Sequence, residues 1–189
     1  MPDPRVRRVR ESDVDALVGL VHELATYERA PHDCHLETDQ LRHALFCAAP
    51  AVFGHVAEVD GQIVGCALWF LNFSTWRGTH GIYLEDLYVR PEQRGAGLGK
   101  ALLTALAEEC VRGGYARLEW SVLDWNTPSI AFYTSLGAKP MDEWTVFRLT
   151  DDALATLGRG GEGGPSATGR AAGRGAAEDE PGAIGAELT

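Results

Sequence analysis

Apolar residues along this chain recur at two different spacings, and the spacing changes from segment to segment. In "DVDALVGLVHELATY" they return every three or four residues, at Leu17, Leu20 and Leu24, which predicts a helix ending near Tyr27. In "AVFGHVAEV" and "QIVGCALWFLNF" they alternate or run together, which predicts two strands. Asp60-Gly61 between these segments is typical of a two-residue hairpin turn.

The other segments complete a mixed order of strands and helices. "RVRRVR" predicts a first strand, Ser12 and Asp15 form a capping-box-like helix start, and Thr38 is expected to cap a short helix through Phe46. "GIYLEDLYV", "ARLEWSVL" and "WTVFRLT" predict strands, whereas "LGKALLTALAEECVRGG" and "TPSIAFYTSLG" predict helices. This order indicates one α/β domain built on a single sheet.

The composition changes near Gly158. Residues 158–189 contain ten glycines and almost no large apolar side chain, so we expect a disordered tail behind a domain at residues 1–157. The net charge is −10, and the tail, with three arginines and five acidic residues, accounts for little of it. An acidic domain argues against binding nucleic acid through a basic surface; its charge favours solubility in the first place, and it also suits a cationic substrate.

Few features indicate a membrane, a secretory route or a metal. The longest apolar runs, such as "IVGCALWFL", are far shorter than the ~20 residues of a membrane span, and the N-terminus lacks the apolar region of a secretory signal. The four cysteines are scattered without paired spacing, which predicts a reducing, cytoplasmic location. His32, Cys34 and His35 stand close together but lack a second ligand cluster, so we expect no metal.

The glycine-rich segment "PEQRGAGLGKALL" resembles a phosphate-binding loop. A Walker A loop would need a glycine where Arg94 stands and a hydroxyl where Ala101 stands. A dinucleotide fingerprint fails as well, because Gly95, Gly97 and Gly99 alternate strictly and the third glycine comes one residue early. The remaining pattern is R-x-x-G-x-G between a strand and a helix.

This R-x-x-G-x-G loop resembles the pyrophosphate loop of the GNAT superfamily of N-acetyltransferases. From Arg5 to Leu149 the chain is similar to the spermidine/spermine (diamine) branch, through "ELATYE", "YLEDLYV", "RGAGLG", "LDWN" and "SIAFYTSLGA". The resemblance implies the GNAT fold, an α/β (α+β) arrangement with a mixed central sheet, a bulged and splayed strand pair and flanking helices. It also implies acetyl-CoA as cosubstrate and a homodimer.

The resemblance assigns catalytic roles to the strand before the loop and the helix after it. Glu85 would be the general base, and a bulge in its strand would re-aim either it or Asp86, since neighbours on a regular strand point to opposite faces. A backbone N–H at Leu87 or nearby would stabilise the oxyanion, and Tyr133 would protonate the leaving sulfur. Alternatively, the two carboxylates are exposed charges or arginine partners, and Tyr133 packs in the core.

Two sets of binding residues follow from the same resemblance. Asn126 could hydrogen-bond the pantetheine arm or only cap its helix. The expected acetyl-CoA-binding residues are Leu87, Val89, Arg94, Gly95, Ala96, Gly97, Leu98, Gly99, Lys100, Asn126, Ser129 and Tyr133. The expected amine-binding residues are Tyr27, Glu28, Trp76, Glu85, Asp86, Glu143 and Trp144, because carboxylates and aromatic faces favour a cation.

The sequence therefore predicts an enzyme that transfers acetyl from acetyl-CoA to a primary amine by direct attack in a ternary complex. The acceptor is a small diamine, a polyamine, a lysine-like or thialysine-like side chain, or an antibiotic amine. Two alternatives stay open. One is a protein-lysine or N-terminal acetyltransferase, and the other is a non-catalytic acetyl-CoA-binding regulatory module.

Overall fold

The computed structural model describes residues 2–160 and shows five strands and five α-helices there. The predicted disordered tail, apart from its first three residues, lies outside the described residues. The strands are β1 (Val6–Arg8), β2 (Phe53–Val59), β3 (Gln62–Ser74), β4 (Thr79–Val89) and β5 (Leu118–Glu119). The helices are α1 (Val14–Tyr27), α2 (Thr38–Phe46), α3 (Leu98–Gly113), α4 (Thr127–Ser135) and α5 (Asp151–Gly158). None of these helices is both long and apolar enough to cross a membrane.

The chain divides after Ser121 into two compact units, and the first contains the whole sheet. Its strands lie in the order β1-β2-β3-β4-β5; the first four are antiparallel, and β5 is parallel to β4. Asp60 and Gly61 join β2 to β3 with φ angles of 51° and 76°. Both residues are in the left-handed region that a tight hairpin requires, so the predicted turn is confirmed.

One face of the sheet is covered by α1 and α2. Leu17 and Leu20 of α1 are fully buried, and each contributes about 2 kcal/mol relative to an exposed side chain. They pack with Leu41 and Leu45 of α2 against Val56, Cys66, Leu68 and Tyr88 of the sheet. The apolar stripe predicted for α1 is therefore the stripe that builds this core.

The opposite face of the sheet carries α3. His55 alternates with Val56 along β2, so it points away from α1, and its Nε2 lies 3.7 Å from Oε1 of Glu109 on α3. Glu109 also pairs with Arg8 of β1 at 2.7 Å. The His55 Nδ1 accepts a 3.2 Å hydrogen bond from the Trp69 indole, and burial lowers the pKa of His55 to about 4. His55 is thus a neutral core residue.

The helix starts differ from the predicted ones. At α1 the Asp13 carboxylate accepts a 2.7 Å hydrogen bond from the Arg10 backbone N–H, and Ser12 lies in a 3₁₀ turn before the helix. At α2 the Glu37 N–H donates to the Gln40 side chain at 2.9 Å, and Thr38 is the first helical residue. The first capping box, at Arg10 and Asp13, lies two residues before its predicted place, and the second cap lies one residue before Thr38, because several neighbouring polar side chains can satisfy the same free N–H groups.

The second unit has no strand in its described part, which corrects one prediction. Residues 144–150, "WTVFRLT", were expected to form a closing strand, but no segment within residues 2–160 pairs with them. Phe147 is 86% exposed. The segment is followed by α5, which the sequence patterns did not predict. "ARLEWSVL" forms a strand only at Leu118–Glu119.

Candidate active site

A β-bulge in β4 separates the two neighbouring carboxyl groups. Trp69 of β3 lies opposite Leu84, and Leu68 lies opposite Asp86, so Glu85 is the extra residue of the bulge. Residues that face each other across a ladder point to the same face of the sheet. Leu84 therefore points to the α3 side with Trp69, and Asp86 points to the α1 side with Leu68. Glu85 is left at the kink, where it is exposed.

The Asp86 carboxyl lies within the influence of two other carboxyl groups. The pKa of Asp86 is raised to about 7, mainly by burial and in addition by the negative charges of Glu85 and Glu28. Glu28 follows the last residue of α1, and burial raises its pKa as well. A partly desolvated group of acids favours a bound cation, because a cation relieves both the repulsion and the cost of burial.

Trp76, which was expected to line the same amine pocket, lies elsewhere in the first unit. It occupies the turn between β3 and β4 and is 80% exposed. The end of β4 next to this turn, Thr79, is six residues from Glu85, or roughly 20 Å along the strand. The structure therefore does not bring Trp76 to the three carboxyl groups of Glu28, Glu85 and Asp86.

The glycine loop follows β4 and leads directly into α3. A 3₁₀ turn at Pro91–Gln93 precedes it, and Gly95 and Gly97 have φ angles of 81° and 82°. A Cβ atom built at either glycine would meet no atom within 4 Å. Glycine is required there for its left-handed backbone and not for lack of space. Gly97 caps α3, so the N–H groups at the start of that helix point toward an approaching anion.

Arg5, just before β1, supports the loop, a contact that the sequence did not predict. Its Nη2 donates to the Ala96 carbonyl at 3.2 Å, while Asp3 holds the same guanidinium at 2.7 Å. The C=O and N–H of one trans peptide point in opposite directions, so the Gly97 N–H points away from Arg5. No sequence pattern links Arg5 to a loop 91 positions later.

Arg94 begins the loop and contacts three groups of the first unit. Its Nε donates to the Val89 carbonyl at 2.9 Å. Its guanidinium carbon lies 5.0 Å from the ring centre of Tyr27 and 5.7 Å from that of Tyr88. Arg94 is still exposed. Tyr27, predicted for the amine pocket, therefore contacts the arginine of the predicted acetyl-CoA loop.

The β5-facing edge of β4 matches the predicted splayed strand pair. The recorded pairs between the two strands involve only Ile82 and Tyr83 of β4. Further along β4, in the described part of the chain, no β5 residue continues the ladder. This stretch includes Leu87 and Val89, whose backbone groups were predicted to meet acetyl-CoA. A strand edge of this kind can pair with an extended ligand.

The second unit carries the remaining predicted residues. Asn126 is buried, and its side chain accepts the Ser129 N–H at 3.4 Å, so it caps α4. Tyr133 lies in the last part of this helix, partly buried beside the ring of Phe132. Glu143 and Trp144 lie in the irregular segment after α4, and both are exposed.

The donor groups of the first unit fit the pyrophosphate of acetyl-CoA. The loop offers helix-start N–H groups and the arginine Arg94, and two glycines keep the backbone open to a ligand. Among the described residues, no group of three histidine, cysteine or acidic side chains is arranged to hold a metal ion. His32 and His35 are exposed.

A mixed sheet with a bulged fourth strand, followed by a glycine loop at a helix start, defines an acyltransferase fold that binds an acyl-CoA carrier. Residues 18–138 match the acetyltransferase (GNAT) family, and the chain belongs to that family. The chain is an acetyl-CoA-dependent N-acetyltransferase, which confirms the predicted fold class and enzyme class.

The relatives include enzymes named for small amine substrates. The thialysine N-epsilon-acetyltransferase of Mus musculus is 33% identical over 83% of this chain and 98% of its own length. The L-ornithine N5-acetyltransferase of Arabidopsis thaliana is 29% identical over 81% of this chain and 87% of its own length. An integron cassette protein from V. cholerae has a similar structure, with a TM-score of 0.69 and 26% identity over 82% of this chain and 96% of that one.

Proposed function

We propose that this enzyme acetylates the terminal primary amine of a lysine-like or diamine substrate. The observation that carries the proposal is the Asp86 carboxyl, which the bulge places on the α1 side of the sheet, where the charge of Glu28 acts on it, while Glu85 stays at the exposed kink. The names of the mouse and Arabidopsis relatives support an acceptor of the lysine or ornithine type. An ammonium group is the natural partner for such a set of acids.

The proposed mechanism is direct attack in a ternary complex. Asp86 and Glu28 bind the cationic acceptor, and Glu85 accepts the proton that the ammonium must lose before its nitrogen can attack. The exposed position of Glu85 gives that proton a route to water. A backbone N–H near Leu87 stabilises the oxyanion, and the Tyr133 hydroxyl donates a proton to the departing sulfur.

The pKa of Asp86 favours a second assignment of the base. A base works best when its pKa lies near the working pH, and a value of about 7 meets that condition. Glu85→Gln and Asp86→Asn separate the two assignments. Loss of the base lowers kcat, whereas loss of an amine-binding carboxylate mainly raises the KM for the amine.

The central experiment measures thiol release from acetyl-CoA with thialysine, lysine, ornithine, diamines, polyamines and lysine-containing peptides. We expect turnover with a small amine and a loss of kcat of about 100-fold or more in Glu85→Gln and Tyr133→Phe. CoA affinity should survive in both variants. Glu108→Gln, near the far end of α3, is the matched control and should keep wild-type turnover.

Three results would contradict the proposal. Near-normal turnover in both variants would remove the assigned roles of Glu85 and Tyr133. Faster turnover of peptides than of every free amine would indicate a protein acetyltransferase. Tight CoA binding without thiol release from any amine would indicate a regulatory module.

We also propose that the enzyme is a homodimer, on the basis of its resemblance to the diamine branch of the family. Size-exclusion chromatography with light scattering should give a mass of about twice the chain mass of 20.4 kDa. A mass that equals one chain at all concentrations would refute this assembly.

A further inference from the structure

The last two turns of α1 face the segment that joins β4 to the glycine loop. Glu23 of α1 forms a forked ion pair with Arg90, with its two shortest nitrogen–oxygen distances at 2.8 and 3.1 Å. Tyr27 comes four residues after Glu23 and so lies on the same side of the helix. Arg94 comes four residues after Arg90, and its guanidinium lies over the Tyr27 ring. Two consecutive contacts therefore connect the end of α1 with the start of the loop.

The position of Arg94 is determined by groups that are themselves held in place. Tyr88 is buried in the core and offers a second ring, and the Val89 carbonyl belongs to the end of β4. A free arginine side chain loses rotamer entropy when a ligand immobilises it. Here most of that ordering is already present before a ligand binds. The Arg94 side chain is nevertheless exposed, so a ligand in solution can reach it.

We propose that Tyr27 is a positioning residue for acetyl-CoA, which acts by holding the Arg94 guanidinium in place to bind the pyrophosphate. Tyr27 then serves the acetyl-CoA side of the reaction and not the amine pocket. The proposal rests on the placement of the pyrophosphate at the glycine loop. Its chemical basis is the face of an aromatic ring, which attracts a cation and keeps a planar guanidinium flat against it.

The test compares two acetyl donors. Acetyl-CoA has the pyrophosphate, and S-acetylpantetheine lacks it but presents the same thioester. In Tyr27→Leu the KM for acetyl-CoA should rise about three- to tenfold, the range expected for a lost cation–π contact and a released side chain. The kcat/KM for S-acetylpantetheine should stay at its wild-type value. If the role of Tyr27 were purely structural, Tyr27→Leu would lower the kcat/KM for both acetyl donors.

Three further variants complete the test. Tyr27→Phe keeps the ring and should restore most of the acetyl-CoA affinity that Tyr27→Leu loses. Arg94→Lys keeps the charge but loses the planar group, and combining it with Tyr27→Leu should add little further loss, because both act through one contact. Thr26→Ala disturbs the same helix turn without changing the ring and should match the wild type. Melting temperatures identify any variant that fails to fold.

The outcomes distinguish the positioning role from the loop site on which it rests. If Arg94→Lys raises the acetyl-CoA KM and Tyr27→Leu does not, the positioning role is wrong and the loop site stands. If neither variant changes this KM, the placement of the pyrophosphate at Arg94 is wrong as well. The role proposed for Tyr27 would also be overturned if Tyr27→Leu lowered the kcat/KM equally for both acetyl donors. The same holds if this variant raised only the KM for the amine.

Discussion

Replacing Asp86 by asparagine should stabilise the protein at alkaline pH while it weakens catalysis. The folded structure raises the pKa of this carboxyl from 3.8 to about 7, mainly because it is buried. A raised pKa means that the folded state favours the neutral acid, so the charged form destabilises the fold. The free-energy penalty begins as the pH rises above about 4, where the unfolded chain ionises, and it is complete above about 7.

The size of the effect follows from the pKa difference. About three units at about 1.4 kcal/mol each give a penalty of about 4 kcal/mol at pH 8. At about pH 5 only about one unit has accumulated, so the penalty there is about 1.5 kcal/mol. Asp86→Asn removes the charge at both pH values. The variant should therefore exceed the wild type in unfolding free energy by an amount that grows by about 2–3 kcal/mol between pH 5 and pH 8.

Urea denaturation of wild type and variant at the two pH values measures this difference. Asp33→Asn, at an exposed loop position after α1, is the matched control and should show a difference near zero at both. Turnover is measured on the same samples, and the KM for the amine should rise in Asp86→Asn. Equal stability differences at pH 5 and pH 8 would refute the argument that burial of this carboxyl destabilises the fold.

Three further predictions use the same structure. The kcat/KM for the amine should increase with pH through about 7 as Asp86 ionises, and a pH profile of Asp86→Asn should lack that limb. Gly97→Ala should destabilise the protein by about 1 kcal/mol because its φ is 82°, whereas Gly19→Ala, inside α1, should stabilise it by up to about 1 kcal/mol; thermal melts compare them. His55, whose pKa is lowered to about 4, should contribute stability that is lost as the pH falls below about 6.5, and His55→Gln should reduce this acid sensitivity in denaturant titrations.

The features predicted from the sequence are those that depend on neighbouring residues. The Asp60-Gly61 turn fixes the β2–β3 hairpin through its own backbone preference. The apolar stripe of α1 predicts which face of that helix is buried, and the open backbone of the glycine loop follows from its residue types. Each of these needs no information from a distant part of the chain.

Residues 144–150 show where that reasoning fails. Their apolar residues suit a pleated strand, yet a strand exists only when another strand supplies hydrogen-bond partners, and the described chain pairs nothing with this segment. The contact between Arg94 and Tyr27 could not be predicted from the sequence for a related reason. It joins residues far apart in the chain, and both residues had plausible separate roles in binding different substrates.

The different positions of the two carboxyl groups of β4 follow partly from the local sequence and partly from the pairing with a distant strand. In a regular strand Leu84, Asp86 and Tyr88 would share one face, and Glu85 would point to the other. The residues around Glu85 include no glycine or proline that marks a bulge; only the pairing with β3 reveals it. The extra residue turns Asp86 toward the buried α1 side and leaves Glu85 at the exposed kink. Two acids next to each other thereby gain different environments, and the mechanism that we propose uses this difference: Asp86 holds the cation while Glu85 exchanges a proton with water.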